Sequence, residues 1–356
     1  MAKPDTATRR DGNASSATPD ALISVALFVE HEFPLAPLSM VLEALRLVNW
    51  VEDQRVFHHW IVSADGQPRA SSSEQPANVE HSVRTCPPAD IVLVCTGLNS
   101  DQISDSAVLN WVRNCHRRGG QVGAISGGAF VLARAGLLHG RTASVHWESS
   151  RSLAEAFADV TVSDNIFVID GRIITCAGGI STLDMMVHLI ESFRGRAVAR
   201  QVADALIYQS IRHGGAPARI DLRHRTGASN GVLLQAIELM ERNLEEPVKL
   251  SEISARLGTS MRHLERLFAR NFNVSPSKYY MRLRLKEAKG LLSQSDIPVV
   301  EVALRCGFRN TSHFARRFRE LYDAPPSEAR RAARAMSHSG GCQADRGGQA
   351  RGRRLG

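Results

Sequence analysis

The sequence lacks the features that would place the chain in a membrane or outside the cell. No apolar run in its 356 residues approaches the roughly 20 that a membrane-spanning helix needs, and the longest, near Ile23 to Val29, is strand-sized. Arg9 and Arg10 are followed by polar residues instead of the apolar stretch of a secretory signal. We therefore expect a cytoplasmic protein with no membrane partner.

The cysteines also lack the spacing of a metal or redox site. There is no C-x-x-C motif and no Cys/His pairing at zinc spacing among the six, which are Cys86, Cys95, Cys115, Cys176, Cys306 and Cys342. Most of them lie in apolar runs, where a reduced thiol behaves as a small hydrophobe. We expect a reducing compartment, no metal site and no cofactor.

What the sequence does contain is an uneven distribution of charge. Residues 1–215 carry a net charge of −4, residues 216–334 carry +9, and the remaining tail carries +3. An acidic body joined to a basic C-terminal part suggests that the basic part meets a polyanion. A solvated basic surface would give the same imbalance, so charge alone leaves both interpretations open.

Composition and hydrophobic pattern divide the chain into five parts. Residues 1–20 are polar and small, and we expect them to be disordered, whereas residues 21–211 alternate strand-length and helix-length apolar patterns. Residues 212–231 contain Gly-Gly, Pro and mixed charges and predict a linker. Residues 232–332 are helical in period, and the basic tail 333–356 is predicted to be disordered.

The first large segment predicts a doubly wound α/β domain, because strands alternating with helices form a mostly parallel sheet covered on both faces. A hairpin is expected at Asp170-Gly171. The predicted strands are Ile23–Val29, His59–Ala64, Asp90–Thr96, Gln121–Ser126, Thr142–His146, Asn165–Ile169 and Arg172–Cys176. The predicted helices are Leu38–Trp50, Ser104–Arg118, Ala129–Ala135, Ser149–Phe157, Leu183–Phe193 and Arg200–Ile211.

The most specific signal is one motif written twice, at Leu250–Phe268 and Val299–Phe318. In each copy a short helix stops at a glycine, Gly258 or Gly307, and a second helix with an apolar stripe follows. This pattern is typical of a helix-turn-helix, whose second helix enters the DNA major groove. An ordinary helical hairpin with a basic face is the alternative, and repetition within a basic domain disfavours it.

The polar faces of the two second helices supply the candidate DNA contacts, since Arg and Asn can bind guanine and adenine edges in bidentate fashion. The predicted residues are Ser260, Arg262, His263, Arg266 and Arg270 in the first copy, and Asn310, Thr311, Ser312, His313, Arg316 and Arg317 in the second.

Between the copies, Pro276–Ser295 has a helical pattern. About 18 residues of helix span roughly 27 Å, which suits two grooves about 34 Å apart.

Residues Val232–Arg331 resemble the AraC family of bacterial regulators. The motifs that carry the resemblance are Leu264-Glu-Arg-Leu-Phe268, Ser275-Pro276, Ile297–Gly307-Phe308, Phe314-Ala-Arg-Arg-Phe318 and Pro325-Pro326-Ser327. The resemblance implies sequence-specific binding to double-stranded promoter DNA, usually as an activator and often as a dimer. RNA polymerase as a partner and association with the nucleoid when bound to DNA follow from the same resemblance.

In the α/β segment, Gly123-Ala-Ile-Ser126-Gly127-Gly-Ala-Phe130 runs out of a strand, through small residues, into a helix. Such an elbow lifts the residue at the bend above the edge of the sheet, where we expect its side chain to be exposed. The placement suits a nucleophile, or equally a ligand-binding residue.

This stretch, with Ala135–Gly140, Thr142–Glu148 and Thr175–Gly179, resembles the PfpI-like, glutamine-amidotransferase-like domain, in the subgroup fused to AraC-type domains. The resemblance covers Ser24–Arg196 and implies a flavodoxin-like sandwich. Enzymes of that fold carry a cysteine at the elbow, and the matching position here is Ser126. A serine hydroxyl is a far weaker nucleophile than a thiolate unless a base activates it.

Two functions remain open for this domain. An amidase- or lyase-like enzyme would use Ser126 with His146 as base and Glu148 or Glu30 as orienter, although His146 also suits a core position. We favour a non-enzymatic sensor, with no catalytic residues, and the ligand-binding candidates are Ser126, Gly127, His146, Trp147 and Glu148.

Trp147 and Glu148 offer a π-face and a negative charge to a cation. The resemblance to regulators of arginine and of betaine- or carnitine-type catabolism implies a small nitrogenous effector. Its signal would reach the DNA-binding domain through Arg212–Gly231 or Arg200–Ile211.

Overall fold

The structure is a computed structural model that describes residues 22–97, 100–219, 222–295 and 297–338; for His224, Gln294 and 333–338 only the backbone is described. Segment 1–20 and the tail from 339 onward lie outside these residues. Within the described ranges, no helix is long and apolar enough to cross a membrane. The same ranges contain no group of three or more His, Cys, Asp or Glu arranged to hold a metal ion.

The N-terminal domain is built on a seven-stranded sheet and two separate two-stranded sheets. The strands are β1 Ile23–Val29, β2 Phe57–Ser63, β3 Arg69–Ala70, β4 Pro76–Ala77, β5 His81–Ser82, β6 Ile91–Thr96, β7 Gln121–Ser126, β8 Thr142–Ser144, β9 Thr161–Ser163, β10 Phe167–Asp170 and β11 Ile173–Cys176. The large sheet has the order β10-β11-β7-β6-β1-β2-β5, and the small sheets are β3–β4 and β8–β9. Neighbouring strands of the large sheet are parallel, except for the antiparallel hairpin of β10 and β11.

Helices cover both faces of this sheet, as the α/β pattern predicted. They are α1 Leu35–Val51, α2 Ser106–Arg117, α3 Gly128–Arg134, α4 Ser150–Ala156 and α5 Ser181–Ala205. The central strands are buried on both sides: Leu27 and Leu93 pack in a core with α1 and α5, whereas Phe28 and Val94 pack in a core with α2 and α3. Burial on both sides explains why the sequences of these strands are continuous apolar runs.

One predicted strand and two predicted helices have other limits in the structure. The strand predicted at Thr142–His146 ends at Ser144, whose amide donates to Thr175 Oγ1 at 2.8 Å and whose hydroxyl donates to the Asn165 carbonyl at 2.6 Å. The helices predicted at Leu183–Phe193 and Arg200–Ile211 form one helix, α5, which bends at Gly195 (φ 82°) and ends at Ala205. The prediction of helix up to Ile211 was therefore wrong.

A buried carboxylate explains where the chain turns after α5. Asp184, in the first turn of that helix, is fully buried and accepts hydrogen bonds from the Tyr208 hydroxyl (2.8 Å) and the Arg212 amide (2.7 Å). Its other oxygen pairs with the Arg212 guanidinium at 2.6 Å. The segment that leaves the domain is thereby tied back to the start of α5, which is incompatible with a helix continuing through 211.

The C-terminal domain is entirely helical over its described residues. Its helices are α6 Leu222–Thr226, α7 Gly231–Arg242, α8 Leu250–Arg256, α9 Met261–Phe272, α10 Pro276–Gln294, α11 Val299–Arg305, α12 Thr311–Tyr322 and α13 Pro326–His338. The short α6 lies inside the segment predicted to be a linker. Helix α13 runs past residue 332, where the tail was expected to begin.

Helix α10 belongs to two hydrophobic cores at once. Tyr280 packs into the first, with α7, α8 and α9, whereas Leu285 and Leu292 pack into the second, with α11 and α12. Because one rigid helix contributes to both cores, the two helix-turn-helix copies are held in a fixed relation.

We predict that Asp184→Asn lowers the free energy of unfolding by roughly 1.5–3 kcal/mol, the range for hydrogen bonds to a charged group. The new amide would turn a donor toward the Arg212 guanidinium, which is itself only a donor. Chemical denaturation of the full chain measures the effect. Asp204→Asn, an exposed position on the same helix, is the matched control. Equal stability of the two variants would contradict the anchoring role.

Candidate functional site

The first recognition helix, α9, is defined by a glycine stop and a serine cap. Gly258 follows α8 with φ at 61°, a left-handed conformation that glycine adopts without strain. Ser260 then accepts a hydrogen bond from the His263 amide at 3.2 Å and starts α9. Leu264 and Phe268 are fully buried, so the opposite face of the helix is turned to solvent.

The second recognition helix, α12, repeats this construction. Gly307 has φ at 73°, and Asn310 accepts from the His313 amide at 2.9 Å. Gly307 is also required sterically, since a Cβ there would lie 2.5 Å from Pro247 Cγ and 2.7 Å from the Leu244 carbonyl oxygen. The turn of the second copy therefore packs directly against the segment that follows α7, next to the first copy.

The predicted DNA contacts are exposed or half-buried residues on the two helices. The exposed ones are Ser260, Arg262, Arg266, Arg270, Asn310, Thr311, Ser312 and Arg316; the half-buried ones are His263, His313 and Arg317. Partial burial, together with nearby Arg317 and Arg316, lowers the pKa of His313. At neutral pH this imidazole is therefore uncharged and offers hydrogen bonds.

An arginine of α10 that the sequence pattern did not single out anchors the second helix-turn-helix copy to this helix. Arg284 lies over the Phe308 ring, with 4.1 Å from Cζ to the ring centroid, and donates to the carbonyl oxygens of Cys306 and Gly307, both at 2.7 Å. Burial lowers the pKa of this guanidinium. The signal in the sequence was its position four residues from both Tyr280 and Ala288, on the buried face of the helix.

The elbow at the end of β7 has the expected backbone but not the expected exposure. Ser126 adopts φ of 57°, which is strained for a residue with a side chain, yet it is only 7% exposed. The expectation of an exposed side chain was wrong because neighbouring backbone closes over the bend. A Cβ on Gly127 would lie 1.9 Å from the Gly97 oxygen, and one on Gly178 would lie 2.9 Å from Ser126 Cβ.

A cavity of about 300 Å³ lies at the ends of β1 and β6 and is lined in part by Glu30, Thr96, Gly97 and Ser100, whereas Ser126 and Gly127 are not among its lining residues. The carboxylate of Glu30 pairs with the buried guanidinium of Arg69. Glu30 is thus held by an arginine on β3, and that pairing leaves the orienter role considered for it without support from the contacts.

Two of the predicted ligand-binding residues line a different cavity. Trp147 and Glu148 line a second cavity of about 850 Å³, between the α/β domain and α10. His146 Nδ1 accepts from the Glu148 amide at 3.4 Å, and burial lowers the pKa of its imidazole. None of the five ligand-binding candidates lines the first cavity, and only Trp147 and Glu148 line the second. The second cavity is therefore the one to which the predicted ligand-binding residues contribute.

The second cavity sits beside a network of ion pairs that joins the two domains. Arg151 on α4 bonds to Glu155 (2.8 Å), to Glu245 (3.3 Å) and to the Arg305 carbonyl oxygen (2.9 Å). Arg305 Nη1 returns to Glu155 at 2.6 Å, and Glu287 on α10 lies 3.7 Å from Arg151. No sequence pattern indicated the contacts between the domains, which join residues more than 90 positions apart, from Arg151 to Glu245 and from Arg151 to Arg305.

Two family models match the chain. Residues 23–192 match the DJ-1/PfpI family and residues 253–332 match a helix-turn-helix domain. The fold and the paired recognition helices define a DNA-binding transcription regulator with an N-terminal domain of an enzyme-like fold.

Curated relatives match both domains together. GbdR of Pseudomonas aeruginosa, an HTH-type transcriptional regulator, is 35% identical over 307 residues, covering 86% of this chain and 84% of the relative. CdhR of the same species is 36% identical, covering 81% and 85%, and GlxA of Rhizobium meliloti is 33% identical, covering 86% and 95%. The chain belongs to the AraC family of HTH-type transcriptional regulators, among those with an N-terminal DJ-1/PfpI domain.

We predict that Arg266→Ala and Arg316→Ala each weaken specific DNA binding by roughly 1–3 kcal/mol, the value of a bidentate contact with a base. Arg256→Ala is the matched control, since that arginine is exposed on α8 and pairs with Glu252. Quantitative footprinting on a target promoter measures the change. Unchanged affinity and protection for both variants would remove these residues from base recognition.

Proposed function

We propose that this regulator activates transcription in response to a small nitrogenous metabolite bound by its α/β domain. The observation that carries the proposal is the contact between the α/β domain and α10, the helix that supports both recognition helices. A ligand that binds the docked and released arrangements with different affinity would shift the balance between them.

The proposed DNA interface consists of the solvent faces of α9 and α12. Helix α10 has 19 residues and a length of about 28 Å at 1.5 Å per residue, which suits successive major grooves about 34 Å apart. The proposed contacts are Ser260, Arg262, His263, Arg266, Arg270, Asn310, Thr311, Ser312, His313, Arg316 and Arg317. In this proposal residues 21–211 sense the ligand, 212–231 link the domains and 232–332 bind DNA.

The effector class is supported by the resemblance to regulators of nitrogen-compound catabolism and by the chemistry of the 146–148 segment. An indole face beside a carboxylate, as at Trp147 and Glu148, favours a cationic ligand. The proposal extends to RNA polymerase as a partner, to a homodimer on paired half-sites and to a cytoplasmic location, with nucleoid association on DNA. Family resemblance is what supports these additions.

We further propose that the elbow does not catalyse a reaction. Loss of the usual cysteine removes the thiolate that serves as nucleophile in enzymes of this fold. His146 bonds to the Glu148 amide and Glu30 pairs with Arg69, so the groups that would form a relay with Ser126 are engaged elsewhere. An amidase- or lyase-like activity is the competing hypothesis.

The test of effector control is footprinting of the full chain with and without a panel of amino acids and methylated amines. We expect one class of these compounds to change the affinity or the extent of protection. Thermal shift of the full chain provides an independent readout, because a ligand that binds only the folded state raises its stability. No response in either assay at millimolar concentration would refute a nitrogenous effector.

We predict that Ser126→Ala retains DNA binding and shifts, at most, the effector concentration required for half the response. Ser192→Ala, an exposed serine on α5, is the control. The same footprint titration measures both variants, alongside assays for amide hydrolysis by the unaltered protein. Turnover that disappears with Ser126→Ala would instead establish the enzyme hypothesis.

A further inference from the structure

Trp147 is already in contact with cations of the same chain. Lys286 Nζ on α10 lies 4.7 Å from the centroid of the Trp147 ring, and Arg219 Cζ lies 5.0 Å from it. Lys286 Nζ is also 3.8 Å from Glu148 Oε1. The indole and the carboxylate of the α/β domain therefore bind the ammonium group of a residue in the DNA-binding domain.

This arrangement has the chemistry of a cation-recognition site. An aromatic face attracts an ammonium group through its quadrupole, and an adjacent carboxylate adds a direct charge interaction. Lys286 reaches the pair from outside the domain, and its side chain is 59% exposed. Such an exposed contact is screened by water and exchanges readily, so a second cation can compete for it.

The surroundings leave room for a competitor. The cavity of about 850 Å³ is lined by Trp147, Glu148 and Lys286, and it lies within the usual size range of small-molecule sites. The domains are held together beside it by Arg151 and its partners Glu245 and Glu287 of the helical domain. A ligand can therefore enter at Trp147 without first separating the domains.

We propose that Trp147 and Glu148 bind a small organic cation at the domain boundary, in competition with the ammonium group of Lys286. The inference rests on the proposed function, because it takes this cation to be the effector. Binding would replace a contact between the α/β domain and α10 with a contact to the ligand. The site is thus one at which ligand binding acts directly on the helix that supports both recognition helices.

The experiment titrates the full chain with tetramethylammonium chloride at constant ionic strength, with sodium chloride and tert-butanol as charge and shape controls. The readout is fluorine NMR of protein labelled with 5-fluorotryptophan. The chain has four tryptophans, and the resonance lost in Trp147→Leu identifies Trp147. The other three resonances, from Trp50, Trp60 and Trp111, report whether each variant is folded.

We expect tetramethylammonium to shift the Trp147 resonance selectively, and Lys286→Ala to tighten its binding roughly threefold or more. The reason is that the apparent affinity is proportional to the fraction of molecules in which the site is open. In the other molecules Lys286 occupies the site. Lys278→Ala, which removes an exposed lysine of the same helix, should bind as the unaltered chain does. Glu148→Gln should weaken binding without removing the Trp147 resonance.

Two results would overturn the inference: no selective shift of the Trp147 resonance in any variant, or equal affinity in Lys286→Ala, Lys278→Ala and the unaltered chain. The titration contains no DNA, so its failure is separate from failure of DNA binding or effector control. An effector found by footprinting whose affinity is unchanged by Glu148→Gln would preserve the proposed function and exclude this site.

Discussion

The arrangement of this protein depends on the burial of one helix in two cores. Helix α10 packs Tyr280 against the first helix-turn-helix copy and Leu285, Leu291 and Leu292 against the second. Arg284 adds a polar connection, since its hydrogen bonds to the turn of the second copy satisfy carbonyl groups that would otherwise be left at a helix end. Neither recognition helix can move without disturbing the packing of α10.

The same helix has a second role, because a part of its surface that is not in either core faces the α/β domain. Lys286 and Glu287 point to Trp147, Glu148 and Arg151, so sensing and DNA-binding domains share a boundary built from charges and one indole. Contacts of this kind are weak individually compared with apolar packing. A boundary of this type is suited to being rearranged, whereas the cores on either side are not.

Local pattern was sufficient wherever an element is defined by its own residues. The limits predicted for Ile23–Val29 and Gln121–Ser126 agree with β1 and β7. The helix stops at Gly258 and Gly307 and the helix caps at Ser260 and Asn310 depend only on neighbouring residues. Prediction failed at the end of α5, which was expected to reach Ile211 but stops at Ala205, because Asp184 at the start of the helix ties down Tyr208 and Arg212. It also failed for the exposure of Ser126, which is covered by backbone from Gly97 and Gly178.

The sequence by itself determined the two folds, the repeated helix-turn-helix and the basic faces of its second helices, because periodicity, caps and turn residues act over a few positions. It also determined that a serine stands at the elbow. Only the tertiary structure decided that Trp147 and Glu148 line a cavity against α10, and that Trp147 meets Lys286. Such contacts join residues far apart in the chain, and no local pattern encodes the distance between them.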